Sequence, residues 1–289
     1  MQWFFKNKES NMSAPSYRTS SLFHFTKKMD VLKSILRTGI VPNFCKEDLS
    51  YEDRKRIIGV PMVSFCDIPL TRTSGFKQRY GEFAIGLSKD WAIRNKINPI
   101  LYVNDLRILY SLSFFNSYRQ SLQEEVKKRG GNEKGINVNL RSPESLEGIK
   151  FFINWNNAND AIYSLYGYVK KYSSPGPRGK EIVNYIENEW RYVVTGEDVD
   201  WKWSEKEYKA WRGGDEKPEP TEALKNFKLK FKVDDISYII VEKDDQISDM
   251  VDYILGLDAL GGNEEPMPDN DKKLLLTKII SQEKIGKDF

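Results

Sequence analysis

The chain has 289 residues, 39% hydrophobic and 30% charged, with a net charge of +3; this globular composition excludes wholesale disorder, and so small a net charge does not imply nucleic-acid binding without a concentrated basic face. No segment approaches the roughly 20 apolar residues needed to cross a bilayer. The opening MQWFFKNKES has neither a long apolar run nor a small-residue cleavage site, so the cytoplasm is the expected location.

Residues 1–20 are polar and Ser-rich and read as a flexible lead-in, with a single α+β domain expected over 21–289. Ser21 to Thr26 (SLFHFT) has the look of a short strand. Met29 to Arg37 places Val31, Leu32, Ile35 and Leu36 at helical spacing, with Gly39 as the stop. Val60 to Phe65 predicts a second strand, closed by Asp67 and Pro69, and Phe83 to Leu87 a third. Ser88 then starts a helix with Trp91 on its buried face. Pro99 to Val103 predicts a fourth strand. Residues 104–128 are helical in pattern, with Leu106, Leu109, Tyr110 and Leu112 to Phe115 as the apolar face. The stretch 129–148 reads as a loop, and Phe151 to Tyr172 as either a helix or a strand pair. SSPGPRGK (173–180) and WRGGDEKPEP (211–220) read as loops. Glu189 to Val194, Phe227 to Val233 and Ile236 to Val241 complete the sheet. The core is expected over about 21–241, and a C-terminal helical segment over about 245–289.

Several chemistries lack their residues. One histidine and two cysteines, Cys45 and Cys66, supply neither a usual zinc site nor a disulfide framework. No GxxxxGK[ST], GxGxxG or GxSxG run is present. Three short runs stand out instead. His24 lies in LFHFT, where a core or edge histidine is the ordinary reading. VSFCDIPLT ends a strand in Ser64, Cys66 and Asp67, and a turn in which Asp67 bonds its own backbone would explain it. IENEWRYVV puts Glu187 and Glu189 on one face of an extended strand, where Arg191 could pair with them on a solvated edge. The run KNFKLKFK (225–232) could track a phosphate backbone, although its alternation fits a half-exposed strand better.

Taken in order, SLFHFT, LKSILRTGI, VPMVSFCDIPL, YGEFAIGLSKDWA and INPILYV, followed by the ExEWR strand, resemble the AbiGi family of abortive phage infection proteins over residues 21 to roughly 194. The same arrangement resembles the ADP-ribosyltransferase fold, with split mixed or antiparallel sheets and flanking helices. That resemblance implies NAD as co-substrate, no metal, and a nucleic-acid or protein acceptor. It gives Glu189 the catalytic role with Glu187 as its partner. His24 and Thr26 fall on the strand that holds the ribose, and Ser64 and Phe65 border the nicotinamide. Tyr80 is a possible stacking aromatic, because SFCDIP is neither a Ser-Thr-Ser run nor a standard tyrosine site.

Loss of nicotinamide leaves an oxocarbenium-like ribose, which a nearby carboxylate stabilises, and a carboxylate can also serve as general base. The leading expectation is therefore a toxin that transfers ADP-ribose in phage defence. The alternative is a regulatory or antitoxin-like component with a degenerate site, working through a cognate partner protein. A metal-dependent nuclease would need an acidic cluster with a lysine, and no D…ExK run is present.

Overall fold

A computed structural model describes residues 19–288 apart from 52–54, 129–160, 163–164, 177–178, 196–198, 200, 203 and 215–217. The expected lead-in (up to residue 18), the loop at 129–148 and most of the 151–172 stretch lie outside the described residues.

The opening is a strand and a helix, β1 (Ser21–Thr26) and α1 (Met29–Thr38). Leu32, Ile35 and Leu36 are buried and Val31 is left exposed, so the apolar stripe is narrower than its spacing suggests. Gly39, at φ +81°, stops the helix, since an added Cβ would lie 2.6 Å from the Leu229 carbonyl oxygen. The sequence reading passes over β2 (Asn43–Asp48), because NFCKED carries only two apolar side chains in six residues. It pairs antiparallel with β3 (Ile57–Cys66), whose near-unbroken burial marks a strand covered on both faces. A 3-10 segment (Leu70–Phe76) runs into the short α2 (Lys77–Tyr80). Then come β4 (Phe83–Ser88) and α3 (Lys89–Arg94), with the Ser88 side chain accepting from the Trp91 amide.

The expected strand at 99–103 is broken into β5 (Asn98–Pro99) and β6 (Leu101–Val103), because the chain changes partner at Ile100: its amide donates to the Glu189 carbonyl, and that of Leu101 to the Tyr168 carbonyl. Helix α4 (Leu106–Lys128) buries Leu109 and Leu112, whereas Tyr110, Phe114 and Phe115 face solvent. The expected apolar face is thus reduced to one edge. Strand β7 (Val169–Lys171) pairs with β6. The predicted loop at 173–180 is a hairpin, with β8 (Ser173–Pro175) antiparallel to β9 (Glu181–Val183).

A 3-10 turn (Asn184–Glu187) leads into β10 (Glu189–Val193). Helices α5 (Glu205–Arg212) and α6 (Glu222–Lys225) flank the 211–220 excursion. The expected strand over 227–233 forms no ladder: Leu229 makes a single bridge to Ile40. Its alternation is still read correctly, with Leu229 and Phe231 buried and Lys230 and Lys232 exposed. The chain ends in β11 (Ile236–Val241), α7 (Ile247–Leu255), α8 (Asp269–Leu276), β12 (Ile279–Ser281) and α9 (Gln282–Asp288). The C-terminal segment is therefore not purely helical, because β12 joins the sheet parallel to β11.

The main sheet runs β12-β11-β4-β1-β3-β10-β5, with β2 also on β3. Leu22, Leu36, Phe65, Trp91, Ile239 and Met250 belong to one core under α1, α3 and α7. Phe23, Cys66, Ile240 and Ile285 form a smaller one on the opposite face. Among the described residues no helix is long and apolar enough to cross a membrane.

Candidate functional site: a charged cleft where the sheet forks

Strand β3 meets β1 and β10 at Cys66, and meets β10 and β2 at Met62. A strand has only two edges, so β1 and β2 share the same one and part from it between these points. The fork opens into a cavity of about 630 Å³. Its walls come from β1 (His24), β2 (Glu47), β3 (Ser64 and Cys66), α2 (Arg79 and Tyr80), β7 (Lys170), and the turn into β10 (Asn184, Glu187 and Glu189).

In the gap, His24 Nδ1 lies 2.9 Å from the Ser64 carbonyl oxygen. A carbonyl only accepts, so Nδ1 donates, and a neutral ring can use Nε2 only as an acceptor. The histidine thus fastens the two diverging strands, and any hydroxyl met at Nε2 must be the donor.

The fork is lined by interlocked charges. Arg191, fully buried, donates to Glu189 from Nε (2.7 Å) and Nη2 (3.1 Å), and to Glu47 from Nη2 (2.8 Å). Its Nη1 reaches the Gly167 carbonyl at 2.9 Å. Lys170 bridges Glu187 (2.9 Å) and Glu189 (2.8 Å), and Arg79 pairs with Glu187. Three carboxylates face three cations, which is how charges removed from water are tolerated.

Burial raises the pKa of Glu189, but Arg191 and Lys170 outweigh it and hold the carboxyl at about 2. Burial pushes Glu47 above the ordinary carboxylate range despite Arg191, and the Glu189 charge adds to that rise. Lys170 loses solvation, yet its glutamates keep it above the normal lysine value. Burial also raises the Tyr80 phenol, which hydrogen-bonds Glu187, and the Cys66 thiol. A thiol raised in this way is a poor nucleophile at neutral pH.

Five of the expected site residues meet here: His24, Ser64, Tyr80, Glu187 and Glu189 all line the cavity. Phe65 is not part of the lining: β3 alternation sends its ring into the main core, 5.7 Å from Trp91, where it also meets the His24 ring at 5.6 Å. Thr26 is buried at the end of β1, away from the lining, with its carbonyl against Gly81. Glu187 and Glu189 converge by a different route from the expected one. Glu187 ends a 3-10 turn, Asn188 takes φ +42°, and only Glu189 is on the strand. Nor is β10 a solvated edge in this region: β3 and β5 flank it, and Arg191 is buried. Asp67 does not cap its own turn; it pairs with Lys89 at 2.7 Å and accepts from Thr19.

Sequence reasoning missed Glu47, Lys170 and Arg79. None of the three had a local signal: Glu47 lies in NFCKED, which has no apolar alternation, and Lys170 and Arg79 stand in no motif. Among the described residues no group of three or more His, Cys, Asp or Glu side chains is arranged to hold a metal.

An α+β protein built on a forked mixed sheet, with an ion-paired cleft in the fork, is the class that these features define. A family model described as "Putative abortive phage resistance protein AbiGi, antitoxin" matches residues 38–242, and the chain belongs to that family. It is similar to the abortive phage resistance protein AbiGi of Lactococcus lactis subsp. cremoris, with 27% identity over 245 residues covering 80% of this chain and 89% of that protein. No solved structure matches, so the ADP-ribosyltransferase likeness has no structural relative behind it.

Proposed function

We propose that this chain is the antitoxin-type component of an abortive-infection pair, acting by binding a partner and not by chemistry in its cleft. The observation that carries this reading is the condition of Glu189. A carboxylate that stabilises a growing positive charge must present its own charge to the substrate. Glu189 is 4% exposed, and its charge is already taken up by Arg191 and Lys170. The family description, which includes the word antitoxin, points the same way.

A second reading, NAD-dependent ADP-ribosyl transfer, has its own support. His24, Ser64 and Glu189 lie on three adjacent strands and line one cavity. In that reading the ribose hydroxyl would donate to His24 Nε2, Tyr80 would border the nicotinamide, and Glu189 would act as catalytic acid with Glu187 beside it. Lys170 would have to swing off both glutamates before either could face a substrate.

One pair of measurements separates the two. Wild type and Glu189→Gln, both checked for folding by near-ultraviolet circular dichroism, are incubated with labelled NAD and cell lysate. Both are also co-expressed with the growth-arresting partner. Rescue of growth by both, with label transferred by neither, is the expected result. Label transfer by wild type that is lost in Glu189→Gln would overturn the binding-only reading in favour of the enzyme.

A further inference from the structure

A second cavity, of about 110 Å³, lies apart from the fork and shares none of its lining residues. Leu49, Leu109, Leu112 and Tyr166 wall it, and Arg56 enters it just ahead of β3. Backbone bonds fix Arg56 there: its amide donates to the Ser50 hydroxyl, and its carbonyl accepts from the Leu49 amide, both at 2.8 Å.

The Arg56 guanidinium lies 5.5 Å from the centre of the Tyr166 ring, whose hydroxyl donates to the Leu112 carbonyl at 2.9 Å. A ring face attracts the positive charge but gives the in-plane N–H groups no acceptor. Arg56 Nε is buried without a hydrogen-bond partner, and no carboxylate among the described residues pairs with this side chain. The other cation on the lining, Lys55, is already held by Glu205 at 2.6 Å. Arg56 is therefore the cation of this cavity whose charge is still to be met.

A buried donor on a charged group is costly to leave unmade, and it marks a place where a guest completes the structure. Water can accept the bond but leaves the charge unbalanced; an oxyanion does both, and a guanidinium suits its geometry. Half-buried Ser113 brings to the lining a hydroxyl that can donate to the same guest. The leucines keep out solvent that would weaken the pair. The volume suits one carboxylate or phosphate group, and not a nucleotide-sized ligand, whose pockets start at roughly 300 Å³. We propose that Arg56 and Ser113 form a binding site for a small oxyanion, either a carboxylate or a phosphate group. The site stands whether or not the cleft performs chemistry.

The test is the melting temperature of the full chain in rising acetate or inorganic phosphate, with chloride holding the ionic strength constant. A ligand that binds only the folded state raises the melting temperature with concentration, which yields an affinity. Arg56 has no ion pair for its loss to break, so Arg56→Met is expected to fold, with circular dichroism as the check. It should weaken anion binding at least about 10-fold, the scale of hydrogen bonds to a charged group. Ser113→Ala should weaken it about 2- to 10-fold, the scale of a neutral one. Arg56→Lys keeps the charge without the planar fork and should recover little. Tighter binding of phosphate would support the site as one for phosphate groups, and tighter binding of acetate as one for carboxylates. Equal stabilisation of wild type and Arg56→Met by both anions, or none of wild type, would overturn the proposal and leave the cavity to water. Binding by Arg56→Lys as tight as by wild type would also overturn it, because the buried Nε would then play no part.

Discussion

Arg191 and Glu189, two residues apart on β10, hold each other through hydrogen bonds of 2.7 and 3.1 Å with both side chains withdrawn from water. Strand periodicity makes the pairing possible, since positions i and i+2 share a face. Arg191 also reaches Glu47 on β2, so one guanidinium ties together the two strands flanking β3. Much of the cleft's integrity rests on that side chain.

Arg191→Met is therefore expected to leave Glu47 and Glu189 buried without their shared cation. The cost is about 3–5 kcal/mol, typical for one partner removed from a buried pair, and it would be read from urea unfolding. Arg191→Lys should recover little, because an ammonium cannot reproduce the forked geometry. A loss below about 1 kcal/mol, the scale of a surface pair, would mean that the network relaxes easily.

The pH profile should have two arms of opposite sign. Glu189 is held at about 2, below its unfolded value of 4.5, so its contribution is present above 4.5 and is lost as pH falls toward 2. Glu47 is raised above 4.5, so its burial in ionised form opposes folding at higher pH, and that penalty eases as pH falls toward 4.5. Glu47→Gln should flatten the arm above 4.5, and Glu189→Gln the arm below it. Urea midpoints measured across the acid range for the three proteins would show this, and an unchanged profile in both variants would refute it.

Gly81→Ala should disturb the arm that carries Arg79 and Tyr80. Gly81 has φ +110°, and an added Cβ would lie 2.2 Å from the Thr26 carbonyl oxygen. Backbone cannot yield as a flexible side chain does, so a loss of about 2 kcal/mol or more is expected. Differential scanning calorimetry would measure it; a melting temperature equal to wild type would contradict the close approach.

His24→Ala removes the donor to the Ser64 carbonyl in the strand gap. A cost of about 1–2 kcal/mol is expected for a half-buried hydrogen bond. Hydrogen exchange should show faster opening of β1 and the end of β3. Unchanged protection there would demote His24 from strand fastener to bystander.

The elements with strong local patterns are legible in the sequence. SLFHFT, VPMVSF, FAIGL and ISYIIV fall within strands, and Ser88 caps its helix, because alternation, apolar runs and a cap are properties of neighbouring residues. The order of motifs also carried the family. Where packing outvotes pattern, the reading failed. NFCKED is a strand because β3 offers an edge, and KNFKLKFK is not one because it has only Ile40 to pair with. Phe65, adjacent to Ser64 in sequence, is placed on the opposite face by the pleat.

The sequence by itself determined which side chains were worth finding: one histidine, a Ser-bearing strand and the ExE pair. Only the tertiary structure decided that they converge, and that three carboxylates meet three cations where they do. Lys170 is about twenty residues from Glu189 along the chain, and Glu47 more than a hundred from Arg191. Pairings at that separation leave no local periodicity to read. They exist because folding removes the charges from water, and in the dry interior a carboxylate without a cation would cost several kcal/mol.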